Sequence, residues 1–293
     1  MKSTARNTLI VGSVTLMFCV TAVGAFVAGA NPRSRASILD EVYRGHPIDR
    51  LSSLDDRETM RQARVKTAEI LEARDDLLST DQQKDLLGLW TRLKIWDNMW
   101  FLGIRIKKNP VDLWTMGDII FEVRPDFIIE TGTDHGGSAL YWAATLELLG
   151  LEDSRVITFD IADRTAAASE HYLWQKYVEF VHSSSTDPEA VGALAERVEG
   201  KSVIVTLDSD HRAHHVLQEL RMYGPLVSPG SYLIVEDTNM DGVPVAPAFG
   251  PGPTTALNEY LDSGGSALFE QDASREAYIL TFNPAGWLRR RTE

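Results

Sequence analysis

Cysteine is almost missing from this chain of 293 residues, whose single copy, Cys19, lies in an apolar stretch near the N-terminus. One cysteine cannot form an intrachain disulfide, and it cannot build a zinc site from several thiolates. Any metal ion must therefore be held by carboxylates or histidines.

Basic residues are also scarce, with 29 Lys and Arg residues against 42 Asp and Glu residues and a net charge of −13. A field of this sign repels the phosphate groups of DNA and RNA, so we expect no nucleic-acid partner. The length suits one large domain with an appendage, because a single hydrophobic core stops growing near about 250 to 300 residues.

Charged residues are absent from positions 9–30, and this absence predicts a membrane segment. About 20 apolar residues cross a bilayer at a rise of about 1.5 Å per residue. We predict that residues 1–36 anchor the protein to a membrane by a single apolar helix, with the rest of the chain in the cytoplasm. The alternative is an exported protein with a cleaved signal, because Ala28 and Ala30 form a cleavage-like site.

Residues 37–115 are rich in charged residues, and their leucines recur at the spacing of an α-helix. We therefore predict a helical arm there. Thr80 followed by Gln83 has the spacing of a capping box, which marks the start of one helix. We interpret four tryptophans in this arm as packing against the main domain, with a lid over a substrate as the alternative. They are Trp90, Trp96, Trp100 and Trp114.

From residue 116 to the C-terminus, short apolar runs rich in β-formers alternate with helical stretches. This alternation predicts an α/β domain with a Rossmann-like, mostly parallel sheet and helices on both faces. The predicted strands are 127–130, 156–160, 178–181, 203–208, 232–235 and 277–282. The predicted helices are 138–149, 188–198, 214–223 and 254–261. The stretch 242–253, rich in Gly and Pro, is long enough to predict a functional loop.

A glycine-rich loop follows the first predicted strand, where a doubly wound sheet binds its ligand. Glycines let the backbone approach a cofactor closely, and the next helix offers free N–H groups. Glu130 at the strand end suits an ammonium or a ribose hydroxyl better than a pyrophosphate, whose charge it repels. Asp160 ends the second strand and suits ribose hydroxyls, although dinucleotide sites share this pattern. The predicted cofactor contacts are Glu130, Gly132, Thr133, Asp134, Gly136, Ser138 and Asp160.

Acidic residues follow two further predicted strands: Asp208 and Asp210 follow one, and Glu236 and Asp237 follow the next. Carboxylates gathered at one sheet edge repel each other unless a cation neutralises them, and hard oxygen ligands favour Mg²⁺, Mn²⁺ or Ca²⁺. Asp208 serves equally well as a strand-end cap. His211 is a candidate general base, with a structural role at a helix start as the alternative.

Together these motifs resemble the cephalosporin hydroxylase and rhamnosyl O-methyltransferase family, a branch of the S-adenosylmethionine-dependent methyltransferases. The resemblance covers residues from about 100 to 287 and rests on segments 130–138, 207–211, 235–238 and 250–253. It implies an O-methyltransferase that uses S-adenosylmethionine and Mg²⁺ (or Mn²⁺). It also implies Asp210, Glu236 and Asp237 as the metal ligands, and a catalytic role for Asp210 with His211.

The resemblance implies an acceptor hydroxyl on a small molecule, a sugar or a glycolipid, and a membrane tether favours a lipid-linked sugar. A homo-oligomer is compatible with the sequence. Two other interpretations stay open: a hydroxylase or nucleotide-sugar enzyme on the same sheet, and a non-catalytic cofactor-binding scaffold at the membrane. The hydroxylase needs a redox metal, usually held by two histidines and a carboxylate, whereas the candidate ligands here offer only oxygen.

Overall fold

The computed structural model of the chain describes residues 57–72, 80–243, 245–246 and 248–292. The apolar run at 9–30 lies outside these residues, and so does the membrane helix that we predict for it. None of the helices in the described part has both the length and the apolar character that crossing a bilayer requires.

The first described elements are helices, as the sequence predicts for this part of the arm. Helix α1 comprises Arg57–Glu72 and α2 comprises Thr80–Arg92, which confirms the helix start at Thr80. A hairpin of two short strands, β1 (Trp100–Phe101) and β2 (Ile104–Arg105), follows. Helix α3 (Pro110–Val123) starts inside the predicted arm and runs past residue 116.

A sheet of seven strands organises the rest of the described chain. The strands are β3 (Phe127–Thr131), β4 (Arg155–Asp160), β5 (Val178–His182), β6 (Val203–Leu207), β7 (Tyr232–Val235), β8 (Phe269–Gln271) and β9 (Trp287–Arg290). Their order is β5-β4-β3-β6-β7-β9-β8, and β9 alone points in the direction opposite to the other six strands. This order confirms a mostly parallel, Rossmann-like sheet. The chain order of the strands reverses between β3 and β6. Doubly wound sheets open a crevice at such a point.

The strand predicted at 277–282 is wrong, although the first five predicted strands are present. The backbone N–H of Phe282 donates to Asp112 Oδ2 at 2.8 Å, and the N–H of Asn283 donates to Thr281 Oγ1 at 2.9 Å. Ile279 has a φ of 73°, which a strand does not allow. These contacts hold the segment as a loop, and β8 and β9 complete the sheet edge instead.

Helices cover both faces of the sheet because strand side chains alternate between them. On one face, Ile129 and Val205 belong to a core that includes residues of the helices Pro188–Val198 and Ala213–Tyr223. On the other face, Ile128 and Ile204 belong to a core that includes residues of α3 and of the helix Gly137–Leu148. The remaining helices are α4 (Gly137–Leu148), α5 (Ala166–Ser169), α6 (Tyr172–Tyr177), α7 (Pro188–Val198), α8 (Ala213–Tyr223), α9 (Pro253–Tyr260) and α10 (Ser266–Leu268). The four predicted helices are confirmed to within one residue at each end.

Candidate active site

A cleft of about 500 Å³ opens at the carboxyl ends of the central strands. The loops after β3, β4, β6 and β7 line it, together with residues that precede α3. Its volume is in the range of small-molecule pockets, and its position is the switch point of the sheet. Five of the seven predicted cofactor contacts line the cleft: Gly132, Thr133, Asp134, Ser138 and Asp160.

Gly132 sits where two strand ends meet. Its φ is 89°, and a Cβ atom added there would lie 2.0 Å from the carbonyl oxygen of Asp208. Backbone cannot rotate away from such a contact as a side chain can, so the position requires glycine. The cofactor loop and the acidic loop after β6 are therefore held in direct backbone contact.

Asp160 fixes the far side of the glycine loop. Its Oδ2 accepts a hydrogen bond from the backbone N–H of Asp134 and its Oδ1 accepts one from Ala162, both at 2.9 Å. The carboxylate of Asp134 lies 3.1 Å from Lys107 Nζ and 3.2 Å from Arg164 Nη1. Burial opposes ionisation of Asp134, but the contact with Lys107 holds its pKa below the usual range. The loop thus carries a charged rim, and the backbone N–H groups of Gly132 and Thr133 donate to Phe159 O at 2.8 and 3.2 Å.

Glu130 lies beneath the cleft rather than in it. The residue is fully buried, and its carboxylate accepts hydrogen bonds from Trp142 Nε1 at 3.0 Å and Thr158 Oγ1 at 2.7 Å. Burial raises the pKa of Glu130, and the charge of Lys108 partly offsets this effect. Glu130 therefore supports the loop from below. Gly136, the other predicted contact that does not line the cleft, is the N-cap of α4.

Three side chains at the other end of the cleft form a group that fits a divalent ion. Potential ligand atoms of Asp208, His211 and Asp237 lie within 4.8 Å of one another. His211 Nε2 is 3.3 Å from Asp237 Oδ2 and 3.7 Å from Asp208 Oδ1. Two carboxylates and one imidazole suit Mn²⁺ as well as Mg²⁺, and they do not match the two histidines of an iron oxygenase site.

The structure does not bring the predicted ligands Asp210, Glu236 and Asp237 into one group, although Asp210 and Asp237 both line the cleft. Asp210 accepts a hydrogen bond from the backbone N–H of Arg212 at 3.0 Å and pairs with its Nη1 at 2.6 Å. Although burial opposes ionisation of Asp210, these bonds hold its pKa below the usual value. Glu236 is 8% exposed and accepts a hydrogen bond from Thr206.

Lys108 is a site residue that the sequence reasoning missed. Its Nζ lies 2.5 Å from Asp208 Oδ2 and 2.6 Å from Glu236 Oε2, and its side chain is 5% exposed. Burial alone would lower the pKa of Lys108, but Asp208 and Glu236 raise it, so the side chain stays an ammonium. The next residue, Asn109, accepts a hydrogen bond from the N–H of Val111 at 3.0 Å and caps α3. This capping pattern is the local sequence signal next to Lys108, and it does not indicate that Lys108 contacts carboxylates.

A second polar group lies in the wall of the cleft. His215 Nε2 is 3.0 Å from Ser209 Oγ and 3.1 Å from Ser185 Oγ. Glu219, fully buried one turn further along α8, accepts a hydrogen bond from Ser209 at 2.6 Å and raises the pKa of His215. The neighbouring His214 is exposed and does not line the cleft.

Residues 93–291 match the model of a protein family described as rhamnosyl O-methyltransferase/CmcI. The chain belongs to this family. A rhamnosyl O-methyltransferase of Mycobacterium tuberculosis H37Rv is 38% identical over 196 residues, which are 66% of this chain and 76% of the relative. The family resemblance predicted from the sequence is therefore confirmed. The predicted enzyme class, an S-adenosylmethionine-dependent O-methyltransferase, is confirmed with it.

A solved structure of CmcI shares the fold of this chain. An apo CmcI structure has a TM-score of 0.51 at 20% identity, and the match covers 67% of this chain and 78% of CmcI. A CmcI structure with Mg and SAM gives a TM-score of 0.48 at 21% identity and covers 66% and 77%. The first of these likenesses supports the methyltransferase-type sheet described above.

Proposed function

We propose that this chain transfers a methyl group from S-adenosylmethionine to a hydroxyl of a sugar, a glycolipid or a secondary metabolite, with the help of a divalent metal ion. One observation carries the proposal. The glycine loop at Gly132 and the group of Asp208, His211 and Asp237 line the same cleft, with the two loops in backbone contact.

The glycine-loop side of the cleft suits the cofactor. Asp160 keeps lone pairs on both carboxylate oxygens beyond the two backbone bonds, so ribose hydroxyls can donate to it. The N-terminus of α4, whose N-cap Gly136 makes no side-chain capping bond, would accept the carboxylate of the methionine portion. Thr133 and Ser138 add hydroxyls to the same wall. Glu130 contributes from below by fixing Thr158 and, through it, the loop.

The other end of the cleft suits the metal and the acceptor. Asp208, His211 and Asp237 would hold the ion, and a bound divalent ion lowers the pKa of an acceptor hydroxyl and orients it. Asn283 accepts a hydrogen bond at 2.9 Å from the N–H of Asp237, whose φ is 56°, and so fixes this residue at the strand end. Mn²⁺ would serve as well as Mg²⁺ at such a mixed oxygen and nitrogen site.

A metal-dependence assay with paired variants tests this proposal. Methyl transfer from labelled S-adenosylmethionine to a panel of sugars and glycolipids is measured with and without EDTA. We expect EDTA to abolish transfer, and Asp208→Asn to lower it by about 100-fold or more while cofactor binding changes little. Asp210→Asn is the matched control because its carboxylate bonds Arg212. If Asp210→Asn is inactive and Asp208→Asn is active, the ligand set is the one implied by the family resemblance instead.

We also propose that the acceptor is a lipid-linked sugar and that residues 9–30 hold the enzyme at the membrane that contains it. The apolar run in the sequence and the sugar-methylating relative support this proposal. Confinement to a surface raises the local concentration of such an acceptor. The cytoplasmic side is the proposed location of the described domain.

The acceptor proposal has its own test. The full chain, reconstituted in vesicles, is assayed on a glycolipid and on the same sugar as a soluble glycoside. A higher kcat/KM for the glycolipid supports the proposal, and equal values refute it. Protease protection in intact cells reports the side of the membrane, and recovery of the domain outside the cytoplasm with a processed N-terminus would favour the exported alternative.

A further inference from the structure

A short hairpin beside the cleft presents apolar side chains to solvent. Strands β1 and β2 are joined by Leu102 and Gly103, and Trp100 and Leu102 are 66% and 53% exposed. A Cβ atom added at Gly103 would meet no heavy atom within 4 Å. The tip of the hairpin therefore projects from the surface of the domain.

The two faces of the hairpin have different surroundings. Phe101 and Ile104 pair across the strands and pack against the core, where the ring of Phe101 lies 5.1 Å from that of Tyr141. Trp100 pairs with Arg105, so these two side chains emerge together on the opposite face. Arg105 lines the cleft. The exposed Trp100 is therefore at the rim of the cleft.

The turn of the hairpin has an uncommon residue at its first position. Leu102 has a φ of 51° and Gly103 has a φ of 81°. Two-residue turns with positive φ at both positions favour Asn, Asp or Gly, because other side chains are disfavoured in the left-handed region. Leu102 thus has a disfavoured backbone conformation and an exposed side chain. An apolar environment outside the domain would stabilise this side chain.

Basic residues accompany the apolar tip. Between residues 92 and 107 the chain has four basic residues and one acidic residue, although the whole chain has a net charge of −13. Arg92 and Lys94 are exposed, and they precede a turn that Arg105 binds through Asp97 at 2.6 Å. Exposed Trp and Leu side chains next to Lys and Arg are typical of surfaces that lie among the headgroups of an anionic bilayer.

A bilayer would also be within reach of the hairpin. The predicted anchor comprises residues 9–30, and 26 residues, 31–56, separate it from the first described helix. A chain of this length spans at most about 90 Å when it is fully extended. The predicted anchor would therefore keep the domain close to the bilayer, so that a weak contact of the hairpin suffices to orient the domain.

We propose that the hairpin 100–105 is a membrane-docking element whose Trp100 and Leu102 side chains insert among the headgroups of an anionic bilayer. The inference rests on the proposed anchor and lipid-linked acceptor, and it adds which surface of the domain faces the bilayer. Because Trp96 and Arg105 line the cleft, docking turns the cleft toward the leaflet that holds the acceptor. The sugar of a glycolipid would then enter the cleft while its lipid stays in the bilayer.

Lipid quenching of a fluorophore on the hairpin tests the inference. The full chain with Cys19→Ala and Leu102→Cys is labelled with an environment-sensitive fluorophore and reconstituted in vesicles of equal parts phosphatidylcholine and phosphatidylglycerol. Brominated lipids quench fluorophores that contact the bilayer, so we expect emission at position 102 to fall by about twofold or more. Leu148→Cys is the matched control, because Leu148 is 87% exposed and ends α4, which runs from the cleft to the opposite edge of the sheet.

Kinetics on two acceptors give a second readout. Trp100→Ser with Leu102→Ser should lower kcat/KM for a glycolipid in these vesicles by about tenfold. It should leave kcat/KM for the soluble glycoside unchanged, because docking matters only for an acceptor in the bilayer. Trp100→Phe with Leu102→Met keeps the apolar tip and should behave like the wild type. Equal losses on both acceptors would show a role inside the cleft and refute the inference.

The labelling experiment separates a failure of the docking inference from a failure of the membrane proposal. If the chain is recovered with the vesicles but the label at position 102 is not quenched, the docking inference alone is wrong. A blue shift of that label without quenching would mean that another part of the chain or a second copy covers the hairpin, which also refutes it. Equal quenching at positions 102 and 148 contradicts a preferred face. A chain that is not recovered with the vesicles overturns the membrane proposal and this inference together.

Discussion

Replacing Gly132 by alanine is the sharpest test of how the two halves of the site are joined. The added Cβ would lie 2.0 Å from the carbonyl oxygen of Asp208 and 2.6 Å from its carbonyl carbon. Real Cβ atoms essentially never approach another heavy atom below 3.0 Å, so the glycine loop and the loop after β6 must separate by at least about 1 Å. Asp208 would move away from His211 and Asp237.

The size of the effect follows from that displacement. A misplacement of about 1 Å at a reacting site costs about 100-fold in rate, and we expect kcat/KM for methyl transfer to fall by that factor. The φ of 89° adds about 1 to 2 kcal/mol of destabilisation, because alanine disfavours the left-handed region. Cofactor affinity, measured by titration calorimetry, should fall as well, since the loop that binds it has shifted.

Gly200→Ala is the matched control. Gly200 has a φ of 71° and no heavy atom within 4 Å of its would-be Cβ, so the variant carries the backbone cost without the clash. We expect urea unfolding to show about 1 to 2 kcal/mol lost in both variants, and a further loss only in Gly132→Ala. Equal kcat/KM values for the two variants would refute the argument that the clash, rather than backbone strain, disables the site.

Three further changes probe buried groups outside the metal group. Burial raises the pKa of Asp112 to about 7, against 3.8 in an unfolded chain. The free energy of unfolding should therefore fall by up to about 4 kcal/mol as the pH rises from about 4 to about 7. Asp112→Asn should remove this pH dependence in urea unfolding. His215→Gln should lower the free energy of unfolding more at pH about 6 than at pH about 9. The buried Glu219 raises the pKa of His215 above 6.5. The stabilisation from protonated His215 is therefore present at low pH and is lost as the pH rises through the raised pKa. Arg275→Met should cost about 3 kcal/mol in thermal or urea unfolding, because Arg275 is 1% exposed and pairs with Glu122 at 2.6 Å.

Each of these expectations has a distinct contrary result. An unchanged pH slope in Asp112→Asn would show that Asp112 titrates in the native protein as it does in an unfolded chain. An equal loss at both pH values in His215→Gln would mean that its protonation is not coupled to folding. A loss below about 1 kcal/mol in Arg275→Met would mean that Glu122 finds a sufficient partner elsewhere.

The fold class could be predicted from the sequence because it follows from patterns within short segments. Apolar β-runs such as Phe127–Thr131 and Val203–Leu207 alternate with helical stretches, and this alternation fixes a parallel sheet with crossover helices. The carboxyl ends of such strands meet at one edge, so the glycine loop and the acids after β6 and β7 had to be neighbours. The strand predicted at 277–282 failed because tertiary bonds, such as that from Phe282 to Asp112, took the amides that a strand would pair.

The roles of individual acids were decided by contacts between segments far apart in the chain. Spacing could not tell that Asp210 would bond Arg212, or that Glu130 would be buried behind the loop. It also could not tell that Lys108, a hundred residues before Asp208, would bind it.

The amino-acid sequence by itself determined the five parallel strands β3 to β7, the position of the cleft and the presence of carboxylates around it, because periodicity and strand ends are properties of short segments. Only the tertiary structure decided which carboxylates face the cleft and which are neutralised beneath it. The buried donor that contacts a carboxylate determines where the carboxylate points and whether its charge is neutralised. These donors come from distant parts of the chain.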